Sequence, residues 1–329
     1  MTPQHWLTRL CFIVCAASLC APTFAQSTDV QWPSKNLSLI VPFGPGSSPD
    51  TMARIIADEA GKTLGKPIII VNKPGASGNI GTNEIAKAKP DGYTFGVSIT
   101  GPLVNNPVIE KNLPYNPSTD IAPIALAVHQ YNVLVVPKDS PINSLQDLIA
   151  AAKTPDAQLN FPSTGAGTVS HLAVELLLER TGGEALHVPY PSSPAAVTSL
   201  LTGETHFAAL PPVAVMPLIK DGRIKPIAAV SAERLSFLPE VPTVAELGYA
   251  GIEGSGWIGF IAPVGIDAQI QSQLNQALTA ALQNEAVQTR LHTMFMEPAA
   301  STPEAFAAYM QEEAARWTPL IKRLNLAEK

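Results

Sequence analysis

The sequence has little cysteine: three residues, Cys11, Cys15 and Cys20, in a chain of 329. All three fall within residues 1–25, which are typical of a secretory signal, because a single charge precedes an apolar run that ends in small residues. The expected cleavage lies just before Gln26. The chain that remains has no cysteine, which excludes disulfides, thiol catalysis and metal sites built on thiolates.

A lipid anchor is the other use that a cysteine of the signal could have. Cys20 is the candidate, but a lipoprotein signal requires a small residue directly before the modified cysteine, and Leu19 is bulky. We therefore expect a cleaved, exported protein that resides in the periplasm. No apolar run in the sequence has the ~20 residues that a membrane-spanning helix needs.

Charged residues are scarce as well, at 15% of the chain, and the balance is acidic. Beyond residues 1–25 there are 20 basic and 27 acidic side chains, a net charge of −7. No basic stripe is present that could bind nucleic acid, so we expect no nucleic-acid partner. If the ligand is an anion, local dipoles must attract it, because the net charge does not.

Motifs for metals, cofactors and catalysis are missing too. Five histidines follow the signal, and no two of them have the spacing of metal ligands. The sequence contains no P-loop, no complete dinucleotide-binding fingerprint and no G-x-S-x-G nucleophile elbow. We expect neither a metal nor a cofactor. The absence of an evident nucleophile and base predicts a binding protein and not an enzyme.

Strand-like apolar runs alternate with helix-like stretches along the chain, which is the pattern of α/β proteins with parallel sheets. The first unit has three strands, at residues 37–43, 67–72 and 93–99. The pattern restarts near residues 121–136 and continues to a strand at 224–230. A glycine-bordered strand at 254–265 and a long helical tail follow, and such a tail usually packs back on the first unit.

This order of elements predicts two domains, each an α/β unit. Domain 1 is expected to combine residues 26–129 with the crossing strand and helices of residues 254–329. Domain 2 is expected to contain residues 130–253.

Four turns that lead from a strand into a helix are rich in Gly, Pro, Ser or Thr. We name them loop 1 (43–50), loop 2 (72–81), loop 3 (162–171) and loop 4 (189–196). A helix start presents unpaired N–H groups and a partial positive charge, and glycine lets the backbone approach an anion. Two such loops in each half, at the carboxyl ends of parallel strands, are expected to meet across an interdomain cleft. The competing interpretation of any one loop is a serine that caps its helix and does nothing else.

Some residues of these loops have a structural interpretation beside the functional one. In loop 1 we expect Ser48 to be the N-cap, Pro49 to be the first helical residue and Asp50 to be structural. His171 is the only histidine in the four loops, and in such a place a packing or hydrogen-bonding role is commoner than that of a base.

Six stretches of the sequence occur together in a known family: WPSKNLSLIVPFGPGSSPDTMAR, VNKPGASGNIGTNEIAKAKPDGYT, SHLAVELL, HVPY, LPEVPTVAELG and GWIGFIAPVG. Through them the chain, from about Trp32 onward, resembles the Bug-type (TctC-like) extracytoplasmic solute-binding proteins of tripartite tricarboxylate transporters. The resemblance implies an α/β fold of the two-domain, periplasmic-binding-protein (Venus flytrap) type, with a ligand cleft between two βαβ domains.

The resemblance also implies a binding site. In domain 1, loops 1 and 2 would hold a ligand carboxylate largely through backbone amides, often with bridging water. The matching positions are Phe43, Gly46, Ser47, Ser48, Ala76, Ser77, Gly78 and Asn79. In domain 2 we expect ligand contacts from Ser163, Thr164, Thr168, His171, Tyr190 and Leu210.

The sequence departs from the family pattern at the proposed site. Loop 1 has Ser47-Ser48-Pro49 where the family usually has Gly-Gly-Thr, and Ser77 replaces a glycine of loop 2, so hydroxyl donors are added. In domain 2, Pro191-Ser192 replaces a common Lys-Gly, and an Asp that is common near 208–210 is absent. A carboxylate with an apolar or aromatic body is therefore favoured over an amino acid, and an aromatic dicarboxylate of the terephthalate type is one possibility.

We expect a monomeric periplasmic receptor that captures a small organic carboxylate and delivers it to the membrane permease subunits of a tripartite tricarboxylate transporter. Two alternatives stay open. The same cleft could serve a two-component sensor, or the protein could be a secreted serine hydrolase that uses a loop serine with His171.

Overall fold

The computed structural model describes residues 32–154, 157–252 and 255–326. The predicted signal, its cleavage site and Cys20 lie outside these ranges. The strands are β1 (Leu37–Val41), β2 (Ile68–Asn72), β3 (Thr94–Ile99), β4 (Ile121–Pro137), β5 (Asn160–Ser163), β6 (Leu186–Pro189), β7 (Ala208–Leu210), β8 (Ile224–Val230), β9 (Ser255–Pro263) and β10 (Glu297–Pro298).

The helices alternate with these strands. They are α1 (Ser48–Leu64), α2 (Asn79–Ala86), α3 (Asn106–Ile109), α4 (Pro117–Asp120), α5 (Leu145–Ala152), α6 (Val169–Thr181), α7 (Ser193–Leu201), α8 (Pro212–Lys220), α9 (Ala268–Gln283), α10 (Glu285–Thr293) and α11 (Pro303–Arg323). A short 3-10 turn (Ala76–Gly78) precedes α2, and a π-helical turn (Gly101–Asn105) follows β3. Within the described ranges, no helix has the length and apolar character to cross a membrane.

The first sheet has the strand order β10-β4-β9-β3-β1-β2. Strands β2, β1 and β3 are parallel, as the sequence predicted, whereas β9 runs antiparallel to both β3 and β4. The parallel pattern predicted for the first unit is therefore confirmed for its three strands, and it does not extend to β9. The reason is that β9 enters from the second half of the chain, so its direction is set by that return and not by a βαβ crossover.

Strand β4 joins the two halves of the molecule. Residues Ile121–Tyr131 pair with β9, and residues Asn132–Pro137 pair with β8, while β7 pairs with the same later part of β4. The strand thus passes from one sheet to the other between Tyr131 and Asn132. The domain boundaries at 129/130 and 253/254 stay a prediction, and β4 crosses the first of them without a break.

The helices cover both faces of the first sheet because its strands carry apolar residues on both sides. Leu39 and Val41 of β1 pack in one core with Met52 and Ile56 of α1, and with residues of α9 and α10. Ile40, between them on β1, belongs to the opposite core with Ile85 of α2. Burying each such side chain contributes about 1.5–3 kcal/mol, so these cores hold the strand ends, and the loops that follow them, in fixed positions.

Candidate functional site

The four loops lie where parallel strands end. Loops 1 and 2 follow the parallel pair β1–β2, and loops 3 and 4 follow the parallel pair β5–β6. Loops 1 and 4 come into contact, since a Cβ on Gly44 would lie 3.2 Å from Cβ of Ser192. The turn after β3 approaches loop 3, since a Cβ on Gly101 would lie 3.4 Å from Cγ2 of Thr168. Residues from both strand pairs therefore lie close enough to line the same cavity.

Loop 1 is held from behind by Asp50. Its carboxylate accepts hydrogen bonds from the Gly46 N–H (2.9 Å), from Arg54 and from Asn72 Nδ2 (2.8 Å), and Asn72 also donates to the Phe43 carbonyl (2.9 Å). Burial raises the pKa of Asp50, but the hydrogen bonds from Arg54, Asn72 and Gly46 outweigh it, so the pKa lies below its usual value. The predicted structural role of Asp50 agrees with these contacts.

The start of α1 carries two unsatisfied hydroxyl groups. Ser47 and Ser48 are each 1% exposed, and neither Oγ atom has a hydrogen-bond partner among the described residues. The N-cap is Ser47 and not Ser48, which corrects the sequence prediction by one residue. A buried polar group without a partner costs about 1–3 kcal/mol, and a bound anion that accepts hydrogen bonds from these hydroxyls would remove that cost.

Loop 2 is a strained left-handed turn. The φ angles of Gly75, Ala76, Ser77 and Gly78 are all positive (129°, 46°, 56° and 92°), and the Gly78 N–H closes the turn on the Gly75 carbonyl at 3.0 Å. Left-handed backbone at a residue with a Cβ costs about 1–2 kcal/mol. Strain of this kind is concentrated at ligand sites, where the surrounding structure maintains it.

Asn79 follows this turn, and its side chain is already engaged. Its Oδ1 accepts hydrogen bonds from Asn106 Nδ2 (2.7 Å) and from the Tyr115 hydroxyl (3.0 Å). The Asn79 N–H donates to the Ala76 carbonyl. Asn79 therefore stabilises loop 2 through its hydrogen bonds to Asn106, Tyr115 and Ala76.

Loop 3 is a hydrogen-bonded network of its own hydroxyls. Ser163 Oγ accepts from the Gly165 N–H (2.9 Å), Thr168 Oγ1 donates to the Gly165 carbonyl (2.7 Å), and the Thr164 N–H donates to Ser170 Oγ (3.0 Å). These bonds order the loop but leave the N-terminus of α6 without a side-chain cap among the described residues.

Two stacked histidines support loop 3 from beneath. His171 Nδ1 accepts the Gly167 N–H at 3.1 Å, and its Nε2 lies 3.4 Å from Glu175. The ring of His187 stacks on that of His171 with centroids 3.9 Å apart, and its Nε2 lies 2.6 Å from Ser163 Oγ. Burial, and then the neighbouring His171, lower the pKa of His187 to about 3. His171 thus stabilises loop 3 through its hydrogen bond with Gly167 and is itself buried.

This arrangement gives little support to the alternative that the protein is a secreted serine hydrolase. Ser163 and His187 have the spacing of a nucleophile and base, but Ser163 is fully buried and its hydroxyl also donates to the Gly165 carbonyl at 3.1 Å. A base with a pKa near 3 accepts a proton poorly at neutral pH. This geometry is that of a structural hydrogen bond.

Loop 4 differs from the other three because its helix start is already satisfied. Ser192 Oγ accepts the Ala195 N–H at 3.3 Å and so caps α7. Tyr190 contributes its ring to a cavity between the loops, and burial raises the pKa of its hydroxyl. Loop 4 therefore forms part of the cavity wall and offers no uncapped helix start.

Side-chain caps are missing at several of the helices that begin near the cleft, although α7, which begins in loop 4, is capped. Considering described helices of eight or more residues, a side chain caps the N-terminus of α5, α7, α9, α10 and α11. No described side chain caps α1, α2, α6 or α8. The first three begin in loops 1, 2 and 3, and Pro211, which precedes α8, lines a cavity beside Thr168. Four helix N-termini at these loops therefore lack a side-chain cap, and their dipoles favour negative charge.

Two cavities lie between the loops. The larger, about 270 Å³, is lined by Phe43, Gly75–Gly78, Thr164, Gly165 and Pro189–Pro191. The smaller, about 40 Å³, lies where the chain crosses between the sheets and is lined by Ile99, Thr100, Gln130, Asn132, Thr164, Thr168, Val169, Ser170, Pro211, Gly256 and Trp257. In the described part of the chain, neither lining contains a charged side chain.

The predicted site residues fall into three groups. Those that line the cavities are Phe43, Ala76, Ser77, Gly78, Thr164, Thr168 and Tyr190. Those at the free start of α1 are Gly46, Ser47 and Ser48. Those that lie behind the loops or in the core are Asn79, Ser163, His171 and Leu210, the last of which pairs with Val133.

Sequence reasoning missed three contributors. Thr100 is 2% exposed, its Oγ1 has no partner among the described residues, and it lines the smaller cavity. Asn105 Nδ2 donates to the Gly167 carbonyl at 2.6 Å and so links the two sides of the cleft. The Pro211-Pro212 pair after β7 was a readable sign of a helix start, whereas Thr100 and Asn105 carry no sequence signal.

Metal binding finds no support in the geometry. Across residues 32–154, 157–252 and 255–326, no group of three or more His, Cys, Asp or Glu side chains is placed to hold an ion.

Comparison with known sequences identifies related chains. The family described as the tripartite tricarboxylate transporter family receptor matches residues 52–326. BugT of Bordetella pertussis is 33% identical over 323 residues, which cover 98% of each chain. A protein of the UPF0065 group from Pseudomonas sp. strain P51, located between tcbD and tcbE, is 34% identical over 314 residues, with 95% of this chain and 93% of the other covered.

Solved structures of related proteins have the same fold as this chain. The periplasmic binding protein BugD is 30% identical with a TM-score of 0.86, covering 90% of this chain and 99% of its own. Rpa4515 of Rhodopseudomonas palustris, solved with adipate, is 32% identical with a TM-score of 0.86, covering 89% and 98%. MatC of the same organism, with bound malate, is 30% identical with a TM-score of 0.84, covering 88% and 100%.

Proposed function

The chain belongs to the tripartite tricarboxylate transporter receptor family, and on that premise we propose that it captures a small organic carboxylate in the periplasm and delivers it to a tripartite tricarboxylate transporter. Members of this family are solute-binding proteins and not enzymes, and their fold is the two-domain α/β fold of periplasmic binding proteins. The signal-like residues 1–25 fit an exported, cleaved protein. We propose that the mature protein acts as a monomer.

The four uncapped helix N-termini at the cleft are the observation that carries this proposal. In the described parts of the chain, the longer helices that begin elsewhere are capped by side chains, so the lack of caps is confined to the site. Helix dipoles, with the N–H groups of an uncapped helix start, attract an anion without a basic side chain. The unpartnered hydroxyls of Ser47 and Ser48 add charge-assisted donors at the start of α1.

The distribution of these groups favours a ligand with two carboxylates. Two of the free helix starts, those of α1 and α2, belong to loops 1 and 2, and those of α6 and α8 face them from the other side. Adipate and malate, the molecules bound in two related structures, both carry two carboxylates. We propose a dicarboxylate that spans the cleft, with one carboxylate toward each pair of helices.

The body of the ligand is expected to be apolar or aromatic. The rings of Phe43 and Tyr190 line the larger cavity, and no charged side chain does so among the described residues. An ammonium group would find no carboxylate partner in such a lining, which disfavours amino acids. An aromatic dicarboxylate of the terephthalate type satisfies both conditions.

A calorimetric titration of the mature protein tests the proposal. The panel pairs adipate, malate and terephthalate with their diamides and with glutamate. We expect a dicarboxylate to bind and its diamide to fail, and a ligand at a hundred times its Kd should stabilise the fold by about 2.7 kcal/mol. Binding of diamides as tight as that of the acids, or ester turnover lost in loop Ser→Ala variants, would contradict a carboxylate receptor.

A further inference from the structure

We propose that the free edge of β2, with the adjoining side of α2, is the surface on which a membrane subunit of the transporter docks. The docking element is an extended segment with apolar side chains flanked by acidic residues. This inference rests on the proposed delivery role.

Strand β2 is an unprotected sheet edge. It lies at the end of the first sheet and pairs with β1, and no second strand pairs with it in the described part of the chain. Its sequence, Ile68–Asn72, contains three isoleucines and a valine and neither charge nor proline. Proteins normally protect exposed edges with charges, prolines or bulges because the free N–H and C=O groups accept another strand. Pro67 and the two lysines Lys66 and Lys73 flank β2, but its own five residues contain none of these devices, so this stretch can accept a strand from a partner.

The side chains beside this edge are exposed and apolar. Ile68 and Ile70 pack toward α1, so Ile69 points to the other side of the sheet, where α2 lies. Ile69 is 49% exposed, and Ile80 on α2 is 51% exposed. They are two of the four large hydrophobic side chains that are this exposed in the described residues, and both are on one side of one sheet.

Lysines lie at both ends of the edge, since Lys66 precedes β2 and Lys73 directly follows it. A groove of about 610 Å³ beside α2 is lined by Ile80 but by no residue of β2, and its charged lining residues are Lys35, Lys87, Lys89, Glu84 and Asp91. Glu84 is paired with Lys73, the residue that directly follows β2, at 3.3 Å. The local excess of lysine contrasts with the chain's net charge of −6, so an acidic partner is complementary to this surface.

A second copy of the chain fits the surface poorly. Antiparallel pairing of two β2 edges would bring Lys66 of each copy close to Lys73 of the other, and like charges in cross-strand positions destabilise a sheet. An extended segment with acidic residues at both ends would pair with the same two lysines favourably.

The surface is continuous with the ligand-binding loop. Ile80 lies in the first turn of α2, and its Cδ1 is 2.6 Å from the position that a Cβ on Gly75 would take. Gly75 lines the larger cavity. A partner bound beside Ile80 therefore contacts the helix whose start closes on the ligand.

The test measures binding of the mature protein to nanodiscs that hold the small and large permease subunits from the same genome. Ile69→Asp should weaken binding about tenfold or more, because it removes an apolar contact and adds negative charge near the acidic ends of the segment, whereas Ile69→Lys should weaken it less, because its positive charge partly offsets the same loss. Val264→Asp is the matched control, since Val264 is 53% exposed and lies outside this surface. Ile69 is half exposed, so the variants should fold, and circular dichroism checks this.

Equal binding by wild type and Ile69→Asp would overturn the docking surface, and equal loss in Ile69→Asp and Ile69→Lys would overturn the acidic partner. A wild-type dimer in light scattering that Ile69→Asp dissociates would show a self-interface instead. If the wild type binds carboxylate but not the nanodiscs, delivery fails and this inference with it. If it binds no carboxylate, the proposed function itself fails.

Discussion

A Cβ atom on Gly165 would lie 2.6 Å from the Cα, Cβ and Oγ atoms of Ser77, so loops 2 and 3 touch across the cleft at a point where only glycine fits. Gly165 also has a φ of 125°, which residues with a Cβ rarely adopt. Contact between the two sides of the cleft therefore depends on few atoms: this close approach and the Asn105–Gly167 hydrogen bond.

Replacing Gly165 by Ala should hold the two sides of the cleft apart. Because the added methyl group has no space in the closed form, we expect ligand affinity to fall about tenfold or more, which corresponds to an overpacking penalty of about 1–3 kcal/mol. Small-angle scattering should show wild type contracting on ligand addition and the variant contracting less. Gly203→Ala controls for backbone strain, since Gly203 has a φ of 75° and nothing within 4 Å of its Cβ position. An unchanged radius of gyration in saturated wild type would count against a closing cleft.

Ser48→Ala should affect the free and bound proteins in opposite ways. Loss of a buried, unpartnered hydroxyl should leave the free protein as stable or more stable, whereas loss of a charge-assisted donor should weaken carboxylate binding about ten- to a hundredfold. Ser48→Pro removes the N–H as well and should nearly abolish binding. The control is Lys73→Met, because Lys73 is already paired with Glu84. Strong loss in Lys73→Met with a silent Ser48→Ala would mean that a side-chain cation holds the anion.

Ser77→Gly should stabilise the free protein. Ser77 has a φ of 56°, and glycine adopts this conformation without the penalty of about 1 kcal/mol that a Cβ brings. Urea unfolding of the ligand-free protein measures the gain. Ala76→Gly, at a φ of 46°, should give a similar gain and so separates strain from the hydroxyl. If the Ser77 hydroxyl bonds the ligand, Ser77→Gly and Ser77→Ala should lose affinity while Ala76→Gly keeps it.

Acid should destabilise the protein through His187. Its pKa is lowered to about 3 in the fold from 6.5, so the unfolded chain binds the proton first, and the stabilisation present above pH 6.5 is lost as the pH falls toward 3. Between pH 7.5 and 5 this amounts to a loss of about 2 kcal/mol. His187→Gln keeps a donor for Ser163 but does not titrate, so its stability should fall less over this range in urea unfolding. Parallel pH curves for the two proteins would show that His187 is not the titrating group.

The sequence by itself determined the alternation of strands and helices and the positions of the four loops. Apolar runs such as residues 37–43 and the Gly, Pro and Ser clusters that follow them are local signals, because turn chemistry and helix starts depend on neighbouring residues. The absence of a P-loop or a nucleophile motif could likewise be read from short stretches of the sequence. The resemblance of these stretches to one family added the two-domain fold and the expectation of a carboxylate ligand in a cleft.

Only the tertiary structure decided which loop groups remain free. Asn79, Ser163 and His171 look like ligand-binding residues in sequence, but their partners Asn106, His187 and Glu175 use them internally. The capping of α7 by Ser192 and the absence of a described cap on α1 likewise depend on side-chain orientation, which sequence patterns do not encode. The contact of Gly165 with Ser77 joins residues 88 positions apart in the chain, and its closeness depends on how the two halves pack through β4.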